Sequence, residues 1–255
     1  MESNVGRYTR SVAGMLVGLS IAGTPSLFAA PFQNLDFEQA VIIQAPPTPS
    51  FPIYADAALP HWTARYDTTV CSTIWAQPDA LDETSIALVS NVPYILAGHP
   101  FPPIRHPLQG NFSVNLSGYF NPPKPLPSFA SLSQVGDIPA NAQSITFYIG
   151  DDFGVPSIPM VYLDNTMISV FPISTTSDIT LWAGNVAPWA GTTRELVFAA
   201  IGSSAPTPQN ENYYDLDTIS FSPLSLADLG VTVPEPGCAL GLLGTLALLR
   251  MRRRR

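Results

Sequence analysis

The chain has 255 residues, of which 46% are hydrophobic and only 12% are charged. Most basic residues lie near the termini, so residues 31–233 carry 17 acidic and four basic side chains, a net charge of −13. This acidity argues against nucleic acid as a partner, because an acidic surface repels phosphate backbones. The 27 prolines, spread along the chain, remove backbone N–H donors and disfavour a largely helical fold.

The first 30 residues have the three zones of a secretory signal peptide. Arg7 and Arg10 precede an uncharged apolar run, Ser11–Gly23, which predicts a signal helix. Small residues follow, and cleavage after either Ala29 or Ala30 fits the pattern. An uncleaved anchor is the alternative, but the apolar run is shorter than the ~20 residues that span a bilayer. We therefore expect the chain to be exported.

Residues 31–223 are dominated by runs that alternate polar and apolar side chains, as half-buried strands do. The predicted strands are Asn34–Glu38, Asn111–Leu116, Ser144–Ile149, Met160–Asp164, Met167–Phe171, Asp178–Trp182, Arg194–Ile201 and Tyr214–Ser222. In the last strand we expect Asp217, Ile219 and Phe221 to face the same way. Proline-rich and Asp-rich turns separate the runs, which predicts a single domain, an antiparallel β-sandwich. Ser225–Leu229 could form one helical turn within a linker, residues 224–233.

Three segments of this domain resemble galactose-binding-like jelly rolls, including carbohydrate-binding modules. Asn34–Glu38 is similar to their opening strand, Pro60–Thr63 to a proline-tryptophan step, and Asp215–Phe221 to their closing strand. The resemblance implies a jelly-roll sandwich whose first and last strands pair. That pairing would bring Glu38 close to Asp217, where related modules hold a structural calcium ion.

Strict alternation opposes this calcium prediction, because it places Glu38 on the outer face, opposite Phe37. Only a bulge or a strand end would let the Glu38 carboxylate reach inward. Ordinary hydrogen bonding of Asp217 to the backbone is the alternative to metal binding.

The C-terminal segment, residues 234–255, combines three features in order. Pro234, Glu235 and Pro236 must be extended, because proline disfavours helix in itself and in the preceding residue. The uncharged run Cys238–Leu249 predicts a transmembrane helix, although it is short for a full span. A basic cluster then follows, which holds the end of such a helix in the cytoplasm and is formed by Arg250, Arg252, Arg253, Arg254 and Arg255.

These features resemble the PEP-CTERM sorting signal of Gram-negative bacteria. The resemblance implies that an exosortase, a membrane transpeptidase, recognises Pro234, Glu235 and Pro236. It also implies a membrane-anchored intermediate that is delivered to the cell surface or the extracellular matrix. A plain tail anchor is the alternative.

No nucleophile motif of the G-x-S-x-G type is present, and Cys71 reads more simply as a small core residue than as a catalytic thiol. Asp151–Asp152 and Asp164–Asn165 could supply a glycosidase carboxylate pair, but both also fit turns. Trp189, between proline and alanine in a loop, is expected near the surface and is a candidate for sugar contact.

We therefore predict a non-enzymatic envelope or matrix protein that contacts exopolysaccharide, with no cofactor apart from a structural calcium ion. A secreted polysaccharide or ester hydrolase with the same tail and a structural filler without a ligand are the alternatives. A pocket with converging catalytic groups would favour the hydrolase, whereas a flat aromatic face would favour binding.

Overall fold

The computed structural model describes residues 30–46, 52–77, 84–92, 94–96, 99–101, 105–119, 129–150, 158–176, 178–202 and 211–231. The predicted signal helix, the PEP-CTERM motif, the predicted transmembrane helix and the arginine cluster lie outside these residues. Among the described residues, no helix is both long enough and apolar enough to cross a membrane.

Sixteen strands account for most of the described residues. They are β1 Pro52–Tyr54, β2 Thr63–Tyr66, β3 Thr69–Val70, β4 Thr73–Trp75, β5 Ser85–Ser90, β6 Tyr94–Leu96, β7 His99–Phe101, β8 Phe112–Tyr119, β9 Phe129–Asp137, β10 Ser144–Gly150, β11 Met160–Leu163, β12 Thr166–Ile168, β13 Val170–Thr175, β14 Ile179–Asn185, β15 Thr193–Ile201 and β16 Glu211–Ser222. The helices are short: α1 Ala55–Ala58 and a 3₁₀ turn at Ala187–Trp189.

The strands form two large sheets and one small hairpin. The larger sheet has the order β1-β4-β5-β8-β16-β10-β14-β13, and the smaller has the order β12-β11-β15-β9-β2-β3. Strands β6 and β7 pair only with each other. The pairs within the large sheets are antiparallel, except that β4 runs parallel to β5. The predicted all-β sandwich is therefore confirmed.

The core lies between the two sheets and consists of aliphatic and aromatic side chains from both. Phe147 of β10 and Phe198 of β15, both fully buried, meet edge to face with ring centroids 5.0 Å apart. The Trp62 ring centroid lies 6.5 Å from that of Phe198 and 5.7 Å from that of Phe37. Burial of these rings, together with the aliphatic side chains around them, holds the sheets together.

The predicted opening strand, Asn34–Glu38, is wrong: the structure has turns there. Asn34 (φ 49°) and Phe37 (φ 58°) are left-handed, which breaks the alternation that a strand requires. The Asn34 side chain stabilises this path, because its amide donates to the Pro60 carbonyl and its oxygen accepts from the Gln39 N–H. The segment still reaches the last strand, since the Ile219 N–H donates to the Leu35 carbonyl (2.8 Å).

The expectation that Asp217 and Ile219 share one face is also wrong. Thr218 is left-handed (φ 48°), and the register between β10 and β16 shifts between Thr146 and Tyr148. This bulge inserts one residue into β16, which reverses the facing of the residues that follow. Ile219 therefore belongs to the core, whereas Asp217 faces the opposite way.

The segment after β16 forms the single turn anticipated from its sequence. The Leu229 N–H donates to the Ser225 carbonyl (3.1 Å), and Ser225 and Asp228 cap the turn reciprocally. Leu226 is buried and the Ser144 hydroxyl donates to the Leu224 carbonyl, so this turn packs on the sandwich.

Candidate functional site

The outer face of the larger sheet, which points away from the smaller sheet, carries two buried carboxylates of β16. Tyr214 and Leu216 point into the core, so the alternating Asp215 and Asp217 point outward. Asp215 accepts a hydrogen bond from the Asn115 amide of β8 (2.7 Å). Asp215 is only 4% exposed and Asp217 only 1%, so another part of the chain must cover them.

Residues 105–112, which we call the strap, provide part of this cover. Arg105 lies 3.5 Å from the Asp215 carboxylate in an almost fully buried ion pair. The Gln109 backbone N–H donates to Asp217 Oδ2 (2.9 Å). Leu108 lies so close to Gly150 of β10 that a Cβ there would clash with it. The strap is therefore fixed to β16 and β10 by both charge and packing.

Glu38 holds the other end of the strap. Its carboxylate accepts from the Asn111 N–H (2.7 Å), the Asn111 side-chain amide (2.9 Å) and the Phe112 N–H (3.0 Å). The left-handed Phe37 turns the chain so that Glu38 can reach these donors. Gly110 must remain glycine, because it is left-handed (φ 59°) and a Cβ there would overlap Glu38. Glu38 and Asp217 thus both bind the backbone of the same strap.

The environment of Asp217 raises the pKa of its carboxyl to about 7. Burial is the main cause, because it disfavours the charged form, and the charge of Glu38 acts in the same direction. Hydrogen bonds from Gln109 and Thr218 lower the pKa, but not enough to offset the burial. The charge of Glu38 is the smallest of the causes that act on the pKa of Asp217, and burial is the largest.

This like-charged pair offers oxygen ligands of the kind that calcium takes. The described residues contain no group of three or more His, Cys, Asp or Glu side chains that could hold a metal ion. Further ligands would have to be backbone carbonyls or water, both of which Ca²⁺ accepts. The carboxylates of Glu38 and Asp217 therefore fit a cation in charge and in ligand type. The alternative, hydrogen bonding to the backbone, fits equally well, because strap N–H groups donate to both carboxylates.

Beyond the strap, the same outer face carries partly exposed apolar side chains arranged in two rungs. One rung runs from Asp217 through Tyr148 to Leu181, and the next runs from Thr146 through Ala183 to Phe171. Tyr148, Leu181 and Phe171 are half-buried, and none of them packs into the core cluster. We call these two rows, with the side chains of Thr146, Tyr148, Phe171 and Leu181, the aromatic rungs, after the rings of Tyr148 and Phe171.

Sequence reasoning did not single out the aromatic rungs. In β10, Phe147, Tyr148 and Ile149 are consecutive apolar residues, so alternation alone does not indicate which of them faces outward. The polar residues Ser144 and Thr146, two apart, are the signal for the facing of this strand. The strap was missed as well, because several of its contacts are made by backbone N–H groups, which almost every residue type carries.

Trp189 lies elsewhere, in the 3₁₀ turn after β14. Its side chain is half-buried against the core, and its carbonyl accepts from the Thr192 hydroxyl (2.6 Å). It is thus nearer the surface than Trp62, but it is not part of the outer face that carries the aromatic rungs.

The catalytic candidates in the described residues occupy structural positions. Asp164 is at the turn between β11 and β12, where it pairs with Arg194 (2.8 Å) and accepts from the Glu195 N–H. Burial raises the pKa of the Cys71 thiol, which disfavours the nucleophilic thiolate. Asp151 and Asp152 lie outside the described residues.

Comparison with known proteins assigns no family. No family model matches the chain, and no curated protein matches it. Among solved structures the chain is similar to the enzymatically active domain of tailspike protein 4 of bacteriophage CBA120, with 13% identity and a TM-score of 0.33. The alignment covers 64% of this chain but only 19% of the tailspike chain. An overlap of this size assigns neither a fold nor a function to this chain.

Proposed function

We propose that this chain is an exported, non-enzymatic surface protein whose β-sandwich binds extracellular polysaccharide. The observation that carries the proposal is the set of aromatic rungs, a patch of partly exposed side chains on the sheet face outside the core. Tyrosine and phenylalanine rings on such a surface stack on the apolar faces of sugar rings. Tyr148 on β10 and Phe171 on β13 are two strands apart, roughly 10 Å across the sheet, which suits an extended polymer.

A hydrolase is the second candidate, and Asp217 is the observation that favours it. A carboxyl with a raised pKa next to a second carboxylate is the arrangement that glycosidases use for acid catalysis. However, Asp217 is 1% exposed, and both Asp217 and Glu38 accept hydrogen bonds from the strap backbone. A glycosidic oxygen could not reach either group without displacing the strap, so binding is the better-supported function.

The strand order supports the finer proposal that the sandwich is a jelly roll. Within the larger sheet β8 is next to β16 and β16 next to β10, while β10 is next to β14. Within the smaller sheet β9 lies beside β15. The pairs β8–β16, β9–β15 and β10–β14 are nested, as expected when a long antiparallel ribbon is wound on itself.

Delivery to the cell surface is proposed from the C-terminal segment. We expect that replacing Pro234, Glu235 and Pro236 by alanine leaves the chain in the membrane at unprocessed mass. Deleting residues 234–255 should instead release the exported chain into the medium. Immunoblots of cytoplasm, membrane and medium measure both outcomes, with an Ala mutant of the exposed linker residue Leu224 as control. The same location and mass for the alanine triple mutant and the Leu224 control would refute exosortase sorting.

The structural calcium ion stays a prediction, with Glu38 and Asp217 as its ligands. When bound, it would neutralise the like charges at the strap and join the 34–38 turn to the last strand. Calcium added to the EDTA-treated full chain should raise Tm by several degrees, since saturation at 100 times Kd adds about 2.7 kcal/mol. Glu38→Gln should abolish this rise, and Glu195→Gln, in an exposed ion pair, should keep it. An unchanged Tm in the unsubstituted chain would contradict the prediction.

The binding function is tested at the aromatic rungs. We expect the full chain to bind polysaccharides on a glycan array and Tyr148→Ser to weaken that binding about 10-fold, or about 1.4 kcal/mol, because the substitution removes the ring on which a sugar would stack. Phe171→Ser should have a similar effect. Val135→Ser, at a 62% exposed position of the smaller sheet, is the matched control. Release of reducing sugar that depends on Asp217 would favour the hydrolase instead.

A further inference from the structure

The strap borders Tyr148 on two sides of the outer face. Across the strands, the partner of Tyr148 on β16 is Asp217, which is buried and accepts from the Gln109 N–H of the strap. Along β10, the next residue on the same face is Gly150, because side chains alternate along a strand. Leu108 of the strap lies so close to Gly150 that a Cβ there would overlap it. Tyr148 therefore lies in a corner that the strap closes in both directions.

At this corner the strap lies on top of the larger sheet and is not a further strand of it. Both strands beneath it already have two neighbours, since β16 lies between β8 and β10, and β10 lies between β16 and β14. The Gln109 side chain is exposed and Leu108 is only partly buried, so both are accessible from solvent. A ligand that lies on the Tyr148 ring thus meets the strap as a wall.

The opposite side of the aromatic rungs reaches the edge of the larger sheet. Leu181 is the partner of Tyr148 on β14, and Phe171 lies on β13, the outermost strand. Within the part of the chain that the structure describes, no strand pairs with the outer edge of β13. The patch therefore runs about 10 Å across the sheet, from a closed corner at Tyr148 to an open edge beyond Phe171.

From this asymmetry we propose that the aromatic rungs bind the end of a polysaccharide chain and exclude its internal stretches. The inference rests on the proposed binding function and adds which part of the polymer is recognised. The terminal sugar stacks on Tyr148 against the strap, and the sugars that follow lie over Leu181 and Phe171 towards the edge of the sheet. An internal stretch would have to continue through Leu108 or the Gln109 backbone, and this clash excludes it.

Chain length separates recognition of ends from recognition of internal stretches. Laminarin oligomers, with dextran oligomers as a second neutral set, supply short chains and chains about ten times longer, and isothermal titration of the full protein should give a Kd per sugar chain that agrees within about 2-fold at both lengths. Each sugar chain should bind a single protein. Internal binding would instead place several proteins on each long chain and lower its Kd about 10-fold, in proportion to the number of overlapping sites.

Variants test whether the strap causes this selection. Leu108→Ala removes the side chain that lies over Gly150, so the long oligomer should gain several-fold in affinity over the short one. Leu108→Met retains the wall and should keep the two affinities equal. Tyr148→Ser should weaken binding about 10-fold at both lengths, whereas Val135→Ser on the other sheet should leave it unchanged.

Each outcome bears on a different part of the proposal. Several copies of the unsubstituted protein on each long oligomer would overturn the recognition of chain ends and leave the binding function intact. Equal affinities that persist in Leu108→Ala would overturn the role of the strap. Binding that is indifferent to Tyr148→Ser would overturn the site, and no binding of any oligomer would refute both proposals.

Discussion

Replacing Phe198 by alanine should lower the free energy of unfolding by about 3–5 kcal/mol. Phe198 is fully buried between the sheets, where it contacts Phe147 edge to face and lies 6.5 Å from Trp62. Removing the ring loses apolar burial, and the two neighbouring rings, Phe147 of β10 and Trp62 just before β2, are held by separate parts of the chain and cannot both collapse into the cavity. Urea unfolding of the full chain, followed by tryptophan fluorescence, measures the change.

Val135→Ala is the control for the Phe198 substitution. Val135 lies on β9, the strand that pairs with β15, but its side chain is 62% exposed. Its removal should change the free energy of unfolding by no more than about 0.5 kcal/mol. If Phe198→Ala were as mild as this control, the described packing of the two sheets would be incorrect.

In calcium-free buffer, the free energy of unfolding should decrease as pH rises from about 4 to about 7, by about 2–4 kcal/mol from Asp217 alone. The pKa of Asp217 is raised in the fold from its ordinary value of 3.8 to about 7. Between these values the folded chain holds a proton that the unfolded chain has released. Folding is therefore favoured at the acidic end of this interval, and the contribution becomes constant above the folded pKa.

Asp217→Asn should remove this part of the pH dependence, which the difference between the two stability profiles isolates. Asp164→Asn is the control of opposite sign. Hydrogen bonds from Glu195 and Arg194 lower the pKa of Asp164, so its contribution is present above its ordinary pKa and is lost as pH falls. A flat difference profile for Asp217→Asn would show that the Asp217 carboxyl is not buried beneath the strap.

Alternation in the sequence predicted the central strands because each of them has one face in the core. It located β8, β10, β11, β14, β15 and β16, in which apolar core residues recur mostly at every second position. It missed β5, where Ser85–Ser90 are buried on both faces and the alternation is absent. It missed β9 as well, because Ser131 and Ser133 on its outer side are small and do not mark a strand.

The sequence indicated the two acidic residues of the candidate site, but not the backbone geometry that positions them. Glu38 and Asp217 both accept hydrogen bonds from the strap, yet the proposed route to their pairing, a straight opening strand, does not exist. The left-handed conformations of Phe37 and Thr218 produce the actual arrangement. Neither residue type favours that conformation, so tertiary contacts impose it and no local pattern could indicate it.

The position of β16 has a consequence for the order of folding. This strand comes last along the chain but lies in the middle of the larger sheet, between β8 and β10. A chain that is synthesised from its N-terminus holds two half-sheets, each with an unpaired edge, until residues 211–222 appear. The contacts that close the sheet span about a hundred residues, such as Asn115 to Asp215. Such high contact order slows folding and leaves open edges that can pair with other chains in the meantime.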